Sequence, residues 1–223
     1  MKRLDLILSL LTPGCRIADI GCDHAYVPIS AVSSGVASFA YASDVREGPL
    51  SRARENVGKA GLSDKIVLAL ADGLDGADKY GTDTVIIAGM GGELTAEIID
   101  RAPFVKDQKI KLILQPMTAQ DKLRRYLLGS GFEIMSEHIS KEGARVYQMI
   151  VCKYTGKPQS YTDAELIVGK NHVEKELVSS LYKKYITKYE KIVKGKAASD
   201  KDLSFDEKIL CELKEKYGNV NAL

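Results

Sequence analysis

The chain has no C-x-x-C pair, no apolar run of membrane-spanning length and no lopsided overall charge. Each absence removes a class of function. Cys15, Cys22, Cys152 and Cys211 are scattered singly, so neither a disulfide framework nor a zinc site is expected, and a reducing cytoplasm is the default compartment. No stretch approaches the ~20 apolar residues of a membrane helix. The start, Met1-Lys-Arg, then residues 4–11 and Thr-Pro-Gly-Cys15, faintly resembles a lipoprotein leader. Asp5 breaks its apolar part and Pro13 sits badly beside a cleavage site, so an amphipathic helix stopped at Pro13-Gly14 is the better reading. No internal repeat is visible.

What is present fits a protein with a real core: 45% hydrophobic and 28% charged residues in 223, enough for one large domain or a domain with an appendage. The net charge of +2 is unevenly spread. Beyond Cys152 there are 14 Lys against 11 Asp and Glu, and before it 18 basic against 19 acidic residues. Within 183–196, six Lys face the single Glu190. Such a run is either a solvated helix face or a surface that contacts phosphates.

Residues 17–152 alternate strand and helix signals. Strands are expected at 17–20, 39–43, 66–70, 84–88 and 110–114, and an antiparallel pair at 132–134 and 146–152 around the loop Lys141-Glu-Gly143. Helices are expected at 28–34, along Leu50, Ala53, Val57 and Ala60 with Gly61 closing, and at 122–128 with Thr118 as cap. Strands apolar on both faces that alternate with helices make a largely parallel, doubly covered sheet. After Tyr154-Thr-Gly-Lys-Pro158 the pattern turns helical. Thr162-x-x-Glu165 and Ser204-x-x-Glu207 are capping-box patterns. The stripes Val173, Leu177, Leu181, Tyr185, Tyr189 and Phe205, Ile209, Leu213, Tyr217 predict two helices packed as an antiparallel pair.

In an open parallel sheet, ligands bind beyond the carboxyl ends of the strands. There the sequence puts Asp19-Ile-Gly21-Cys22-Asp23, then Asp44-Val45, then Ala71-Asp72-Gly73, then Ala88-Gly89-Met90-Gly-Gly92. A carboxylate after the second strand suits a bidentate hold on two ribose hydroxyls, and Asp72 is placed to accept from an adenine amino group. Gly21 permits close backbone approach, and Asp23 faces a cationic amino group in such a site. Taken singly, Asp44 and Asp72 are more often turn or cap residues than ligands. Their joint register points to a nucleoside site.

Asp19-x-Gly21-x-Asp23-x-Ala25 departs from the dinucleotide fingerprint G-x-G-x-x-G and resembles the first motif of class I S-adenosylmethionine-dependent methyltransferases. Asp19-Ile-Gly-Cys-Asp-His-Ala-Tyr-Val-Pro28, Ser43-Asp-Val-Arg-Glu-Gly-Pro-Leu50 with Asn56-Val57, Ala88-Gly-Met-Gly-Gly92 and Leu114-Gln-Pro116 together resemble the bacterial tRNA adenine N1-methyltransferases that modify position 22. The similarity runs over nearly the whole chain. It implies an α/β fold, a Rossmann-like seven-stranded sheet over 1–155, followed by a coiled-coil-like α-helical tRNA-binding domain over 156–223. It implies S-adenosylmethionine as cofactor, held by Asp19, Gly21, Cys22, Asp23, Asp44, Val45, Ala71, Asp72, Gly73, Ala88, Gly89 and Met90. Asp23, His24 and Tyr26 are the candidates for chemistry at the base: a carboxylate to stabilise the charge that develops on it, a weaker ring partner, and a stacking surface. Lys2, Arg3, Gln115, Arg124, Arg125, Lys183, Lys184, Lys188 and Lys191 are the candidates for RNA contact. Neither metal nor membrane is implied, and a monomer is expected. Two departures stand out: Met117 where Asn is usual, and Gln148 where an acidic residue is usual, to which no role is assigned. The alternatives are a methyltransferase for another substrate, against which the absence of Asn-Pro-Pro-Tyr after the fourth strand argues for exocyclic amines, and an RNA-binding protein with a vestigial pocket. The retained triad Asp19, Asp44 and Asp72 argues against the latter.

Overall fold

The computed structural model of the protein describes residues 2–143, 145–199 and 202–221. Seven strands form one sheet in the order β3-β2-β1-β4-β5-β7-β6. They are β1 (Cys15–Ile20), β2 (Ala37–Asp44), β3 (Ile66–Leu70), β4 (Thr84–Ala88), β5 (Lys111–Gln115), β6 (Phe132–Glu142) and β7 (Arg145–Tyr154). The first five run parallel, and β7 inserts antiparallel between β5 and β6. Along the central strands successive buried residues face opposite layers. Ala18, Ile20, Val85, Ile87, Leu112 and Leu114 face one buried layer, whereas Ile17, Ile86 and Ile113 face the other. That two-sided burial is why these strands read as continuous apolar runs.

The layer over Ile17, Ile86 and Ile113 holds α1 (Arg3–Ser9), α2 (Tyr26–Ser33) and α3 (Glu47–Lys59), through residues such as Leu6, Ile7, Ala31, Leu50 and Val57. The other holds α4 (Gly92–Asp100) and α5 (Gln120–Gly129), through Ile98, Ile99, Leu123 and Leu127. Helix α4 had no counterpart in the element count above, although Leu94, Thr95, Ile98 and Ile99 recur at helical spacing. Two caps differ from expectation. Ala119, at φ 52°, precedes α5 without a side-chain cap, while Thr118 bridges to Gly91. The first of the two capping boxes is formed, with the Thr162 and Glu165 side chains each bonding the other's backbone N–H. Ser204 instead directs its hydroxyl and its N–H to the Asp202 carboxylate.

Helices α6 (Asp163–Val168), α7 (Lys175–Ala197) and α8 (Ser204–Asn221) pack on one another around Val178, Leu181, Tyr182, Tyr185, Ile209 and Leu213. The ends of the predicted stripes, Val173 and Phe205, are exposed. This helical unit is docked onto the β6–β7 hairpin, which contributes Ile139 and Val146 to the same cluster. The hairpin is much longer than expected because polar residues, among them Glu137, His138 and Ser140, are buried within it. Arg124 of α5 lies at the centre of the seam, with its side chain fully buried. Its guanidinium donates to Glu137 Oε1 (2.6 Å), Gln148 Oε1 (2.7 Å) and the Leu166 carbonyl (2.8 Å). Arg124 is therefore a structural ion-pair partner and not an RNA contact. Gln148, which also donates to the Tyr185 hydroxyl (3.1 Å), gains a role in that seam. The segment before α7 lies along the free edge of β6: the Glu137 N–H donates to the Asn171 carbonyl (2.8 Å), and the Val173 N–H to the Glu137 carbonyl (3.0 Å).

Candidate active site

Four strand ends and the loops that leave them enclose a crevice of about 770 Å³. The loop after β1 is tied back to β2, since the N–H groups of Gly21 and Cys22 both donate to the Ser43 carbonyl (2.8 and 3.0 Å). The loop after β3 is tied to the same strand: Ser43 Oγ donates to the Gly73 carbonyl (2.8 Å), and the Ala71 N–H to the Asp44 carbonyl (3.1 Å). On the other side the Gly-rich loop after β4 is zipped to the loop after β5. Gly89 N–H donates to Gln115 O (3.0 Å), Met117 N–H to Met90 O (2.7 Å) and Gly92 N–H to Thr118 O (2.8 Å). Gly21 suits this turn because its φ is +73°, and a Cβ there would lie 2.3 Å from the terminal methyl of Met90, which would have to move. Asp23 and Ala25 adopt positive φ without being glycine, which concentrates backbone strain in the turn that leads into α2.

Every residue named above as cofactor-binding lines this crevice, and so do Arg3 and Tyr26. The acidic residues are not equivalent. Asp19 is 5% exposed, and its side chain makes no hydrogen bond among the described residues. Burial pushes its carboxyl up to about 7, with only the Arg3 charge acting the other way. Asp44, equally buried, accepts from the Arg46 N–H (2.9 Å). Asp72 lies at the exposed rim, held bidentately by Arg101 (2.6 and 3.0 Å), and this pairing keeps its carboxyl below the ordinary value. Burial pushes the Cys22 thiol up to about 12, so it lines the wall as a thiol and is no nucleophile.

The three candidates for chemistry cluster at the mouth. Tyr26 opens α2 and is 60% exposed, with its ring stacked on His24 at 5.3 Å between centroids. His24 Nε2 lies 3.7 Å from Asp23 Oδ2. His24 itself is outside the crevice lining, and its carbonyl accepts from Asn56 Nδ2 (3.1 Å). Gln115 is buried behind Arg3 and spends its amide on the Pro116 carbonyl and Met117 Sδ. Lys2 is exposed just outside. Arg125 is exposed on α5, 3.4 Å from Asp163. Lys183, Lys184, Lys188 and Lys191 are exposed on α7, far along the chain from the crevice, and 184, 188 and 191 share one helix face. Sequence reasoning missed Arg46 and Arg101 beside Asp44 and Asp72, and the apolar walls Leu4 and Ile7 of α1 and Leu94 and Ile98 of α4. Among the described residues no cluster of His, Cys, Asp or Glu could hold a metal ion, and no helix is long and apolar enough to cross a membrane.

Comparison with known proteins agrees with this geometry. The profile of a methyltransferase domain family matches residues 1–150. The tRNA (adenine(22)-N(1))-methyltransferase of Bacillus subtilis is 34% identical over 168 residues, which cover 75% of this chain and 71% of that protein. A Streptococcus pneumoniae structure solved with S-adenosyl-L-methionine superposes with a TM-score of 0.82 at 31% identity, covering 96% of this chain and 99% of the other. Mycoplasma capricolum TrmK, solved with the cofactor product S-adenosyl-homocysteine, gives a TM-score of 0.76 at 26% identity over 99% and 95% of the two chains. The overall fold is thus shared with these relatives along nearly the whole chain, and the chain belongs to the tRNA (adenine(22)-N(1))-methyltransferase family.

Proposed function

We propose that the chain transfers a methyl group from S-adenosylmethionine to N1 of adenine 22 in tRNA, and that the crevice at the carboxyl ends of β1 to β4 is where it does so. The observation that carries this reading is the convergence of Asp19, Asp44 and Asp72, from three different strand ends, on one crevice whose floor is Gly21 and Met90. The donor set fits a cationic nucleoside: Asp44 for the ribose hydroxyls, the Asp72 rim for the adenine, and acidic groups toward the amino-acid end. When bound, S-adenosylmethionine supplies an electrophilic methyl group on a sulfonium.

The protein's own task is positioning. Neutral adenine already carries a lone pair on N1, so no base need act first. N1 bonds to the methyl carbon as the carbon–sulfur bond breaks; the electron pair stays on sulfur and the positive charge ends on the purine. Aligning the three atoms can supply about 7–11 kcal/mol of the barrier. Met90, against Gly21, presents an apolar surface beside the line of transfer. Tyr26 offers the target base an exposed ring to stack on, and Asp23 at the mouth offers a carboxylate to the cationic product. An N1 inside paired RNA is reachable only if the base is extruded. We assign backbone grip to the helical domain, residues 156–223, acting through Lys183, Lys184, Lys188 and Lys191, with Arg125 and Lys2 nearer the sheet; it reads tRNA shape and not sequence. A cytoplasmic monomer without metal completes the reading.

Labelled S-adenosylmethionine with unmodified bulk tRNA tests it. Label recovered as 1-methyladenosine supports the assignment. Label in any other acceptor, or binding without turnover, defeats it. Asp23→Ala should lower turnover at least tenfold, and a separate S-adenosylhomocysteine titration tells whether cofactor hold or chemistry was lost.

A further inference from the structure

The β6–β7 hairpin reaches past the sheet it closes. β5 pairs with β7 from Lys111↔Lys153 to Leu114↔Ile150, whereas β6 and β7 stay paired out to Glu142↔Arg145. The stretch 145–148 of β7 therefore overhangs the end of β5 at Gln115, a reach of roughly 14 Å at the rise of an antiparallel strand. The crevice opens at this same end of the sheet, and the overhang stands against its wall. The guanidinium of Arg3, which lines the crevice, lies 5.6 Å from the Tyr147 ring centroid, and the Arg3 N–H donates to Glu142 Oε1 (2.7 Å).

Successive strand residues point to opposite faces. Arg145 thus shares a face with Tyr147 and with Met149, which packs in the α1 layer. Lys141, opposite Val146, lies on the other face, where Ile139 and Val146 join the helical cluster. It stands two positions outward from the Ile139↔Gln148 pair, and the Gln148 amide donates to the Tyr185 hydroxyl (3.1 Å). Lys184 and Lys188 of α7 hold their Nζ atoms 5.7 and 5.8 Å from that Tyr185 ring. Cations therefore run from α7 across the hairpin tip to Lys2 at the crevice mouth. Lys2, Lys141 and Arg145 are exposed, and none forms an ion pair among the described residues. Glu142, the acid opposite Arg145, instead accepts from the Arg3 backbone. Behind these cations the crevice is lined by Asp19, Asp23, Asp44 and Asp72. A polyanion that approaches such a mouth is repelled unless the rim offsets the charge.

We propose that the overhanging hairpin is an RNA-gripping arm. Lys141 and Arg145, together with Lys2, hold backbone phosphates beside the extruded adenine and lead the strand from α7 to the crevice. The ladder between β6 and β7 stiffens the arm, the helical cluster holds one face of it, and Arg3 holds the other through Tyr147 and Glu142. The tip therefore presents its charge at a set place relative to the crevice wall. Phosphate contacts of this kind set register and orientation and carry no sequence information.

This rests on the reading of the chain as a tRNA methyltransferase, and the test separates the two. Affinity for an unmodified tRNA transcript is measured across a salt series for the full-length wild type, for Lys141→Ala with Arg145→Ala, and for the charge-keeping pair Lys141→Arg with Arg145→Lys. The alanine pair should weaken binding about tenfold near physiological salt and flatten the slope of log affinity against log salt by up to about two units. The charge-keeping pair should retain both. S-Adenosylhomocysteine affinity, titrated on the same proteins, should stay within about twofold of wild type, which also reports an intact crevice. An unchanged salt slope overturns the arm, as does a loss of tRNA affinity that is the same at every salt concentration. Weakened S-adenosylhomocysteine binding by the alanine pair overturns it too, because the tip would then be a prop for Arg3. A wild type that binds no tRNA sinks the RNA reading itself, and the arm with it.

Discussion

Glu137 and Asp19 are both carboxylates shut away from water, 0% and 5% exposed, yet their surroundings differ in kind. Glu137 is saturated. Besides Arg124 it accepts from the N–H groups of Lys170 (2.5 Å) and Asn171 (3.0 Å). Burial alone would push its carboxyl up; the charges of Arg124 and His172 and those two amides more than offset this and hold it below the ordinary value. Asp19 has the same desolvation and no such company, and its carboxyl rises. The first is a completed internal joint between sheet and helical unit. The second opens onto the crevice, with no hydrogen bond to its side chain among the described residues. A buried charge left short of partners marks a working site better than its burial or its charge does alone.

The largest way to break this contrast is at the joint. Arg124→Met leaves Glu137 buried and unpaired, and should cost about 3–5 kcal/mol in urea denaturation. Arg124→Met combined with Glu137→Leu strands no charge and should regain part of it. A single substitution that costs less than about 1 kcal/mol would mean the joint is not load-carrying in the folded state.

Next is the pH response of the crevice. Because the folded-state pKa of Asp19 is raised from 3.8 to about 7, the folded protein holds that proton more tightly than the unfolded chain. Its contribution to ligand-free stability therefore falls as pH rises between those values. A cationic ligand group favours the ionised form, so S-adenosylhomocysteine affinity should climb from about pH 5.5 to 8, by up to about tenfold per pH unit below the pKa. Asp19→Asn should flatten both trends. Parallel profiles for wild type and variant would reassign the proton to another group.

The smallest effect is expected on the outer surface of the helical unit. Lys184→Glu, Lys188→Glu and Lys191→Glu together should weaken tRNA binding about tenfold or more at physiological salt. They should also flatten the dependence of log affinity on log salt by up to about one unit per lysine. The urea midpoint should stay near wild type, since all three side chains are exposed. An unaltered salt slope removes α7 from the RNA interface.

Much of this was legible in the residues, for a physical reason. The bounds of β4 match the expected 84–88 because a doubly buried strand is an uninterrupted apolar run, and β3 matches 66–70 although, at the edge of the sheet, it is largely half-buried. The crevice was legible because acidic and glycine residues end those runs. The β6–β7 hairpin was not, since a satisfied polar network in a core looks like surface in a sequence. Arg124 was misplaced for the same reason, although it stands three residues before the buried Leu127 and beside the buried Leu123, on the helix's inward stripe. Its partners, 13 and 24 positions away, have no local signature. Arg3 was expected near the site from its place before the first strand; that its guanidinium turns inward toward Asp19 depends on α1 docking, which only the fold decides.

The outermost strand of a sheet offers its spare amides and carbonyls to any passing chain, and such margins are where proteins stick to one another. In this molecule the segment ahead of α7 lies along β6 at Glu137 and takes up that offer internally. The same short stretch that delivers amides to the Glu137 carboxylate also denies a growing aggregate its template, so loosening the helical unit would endanger solubility before it touched the chemistry.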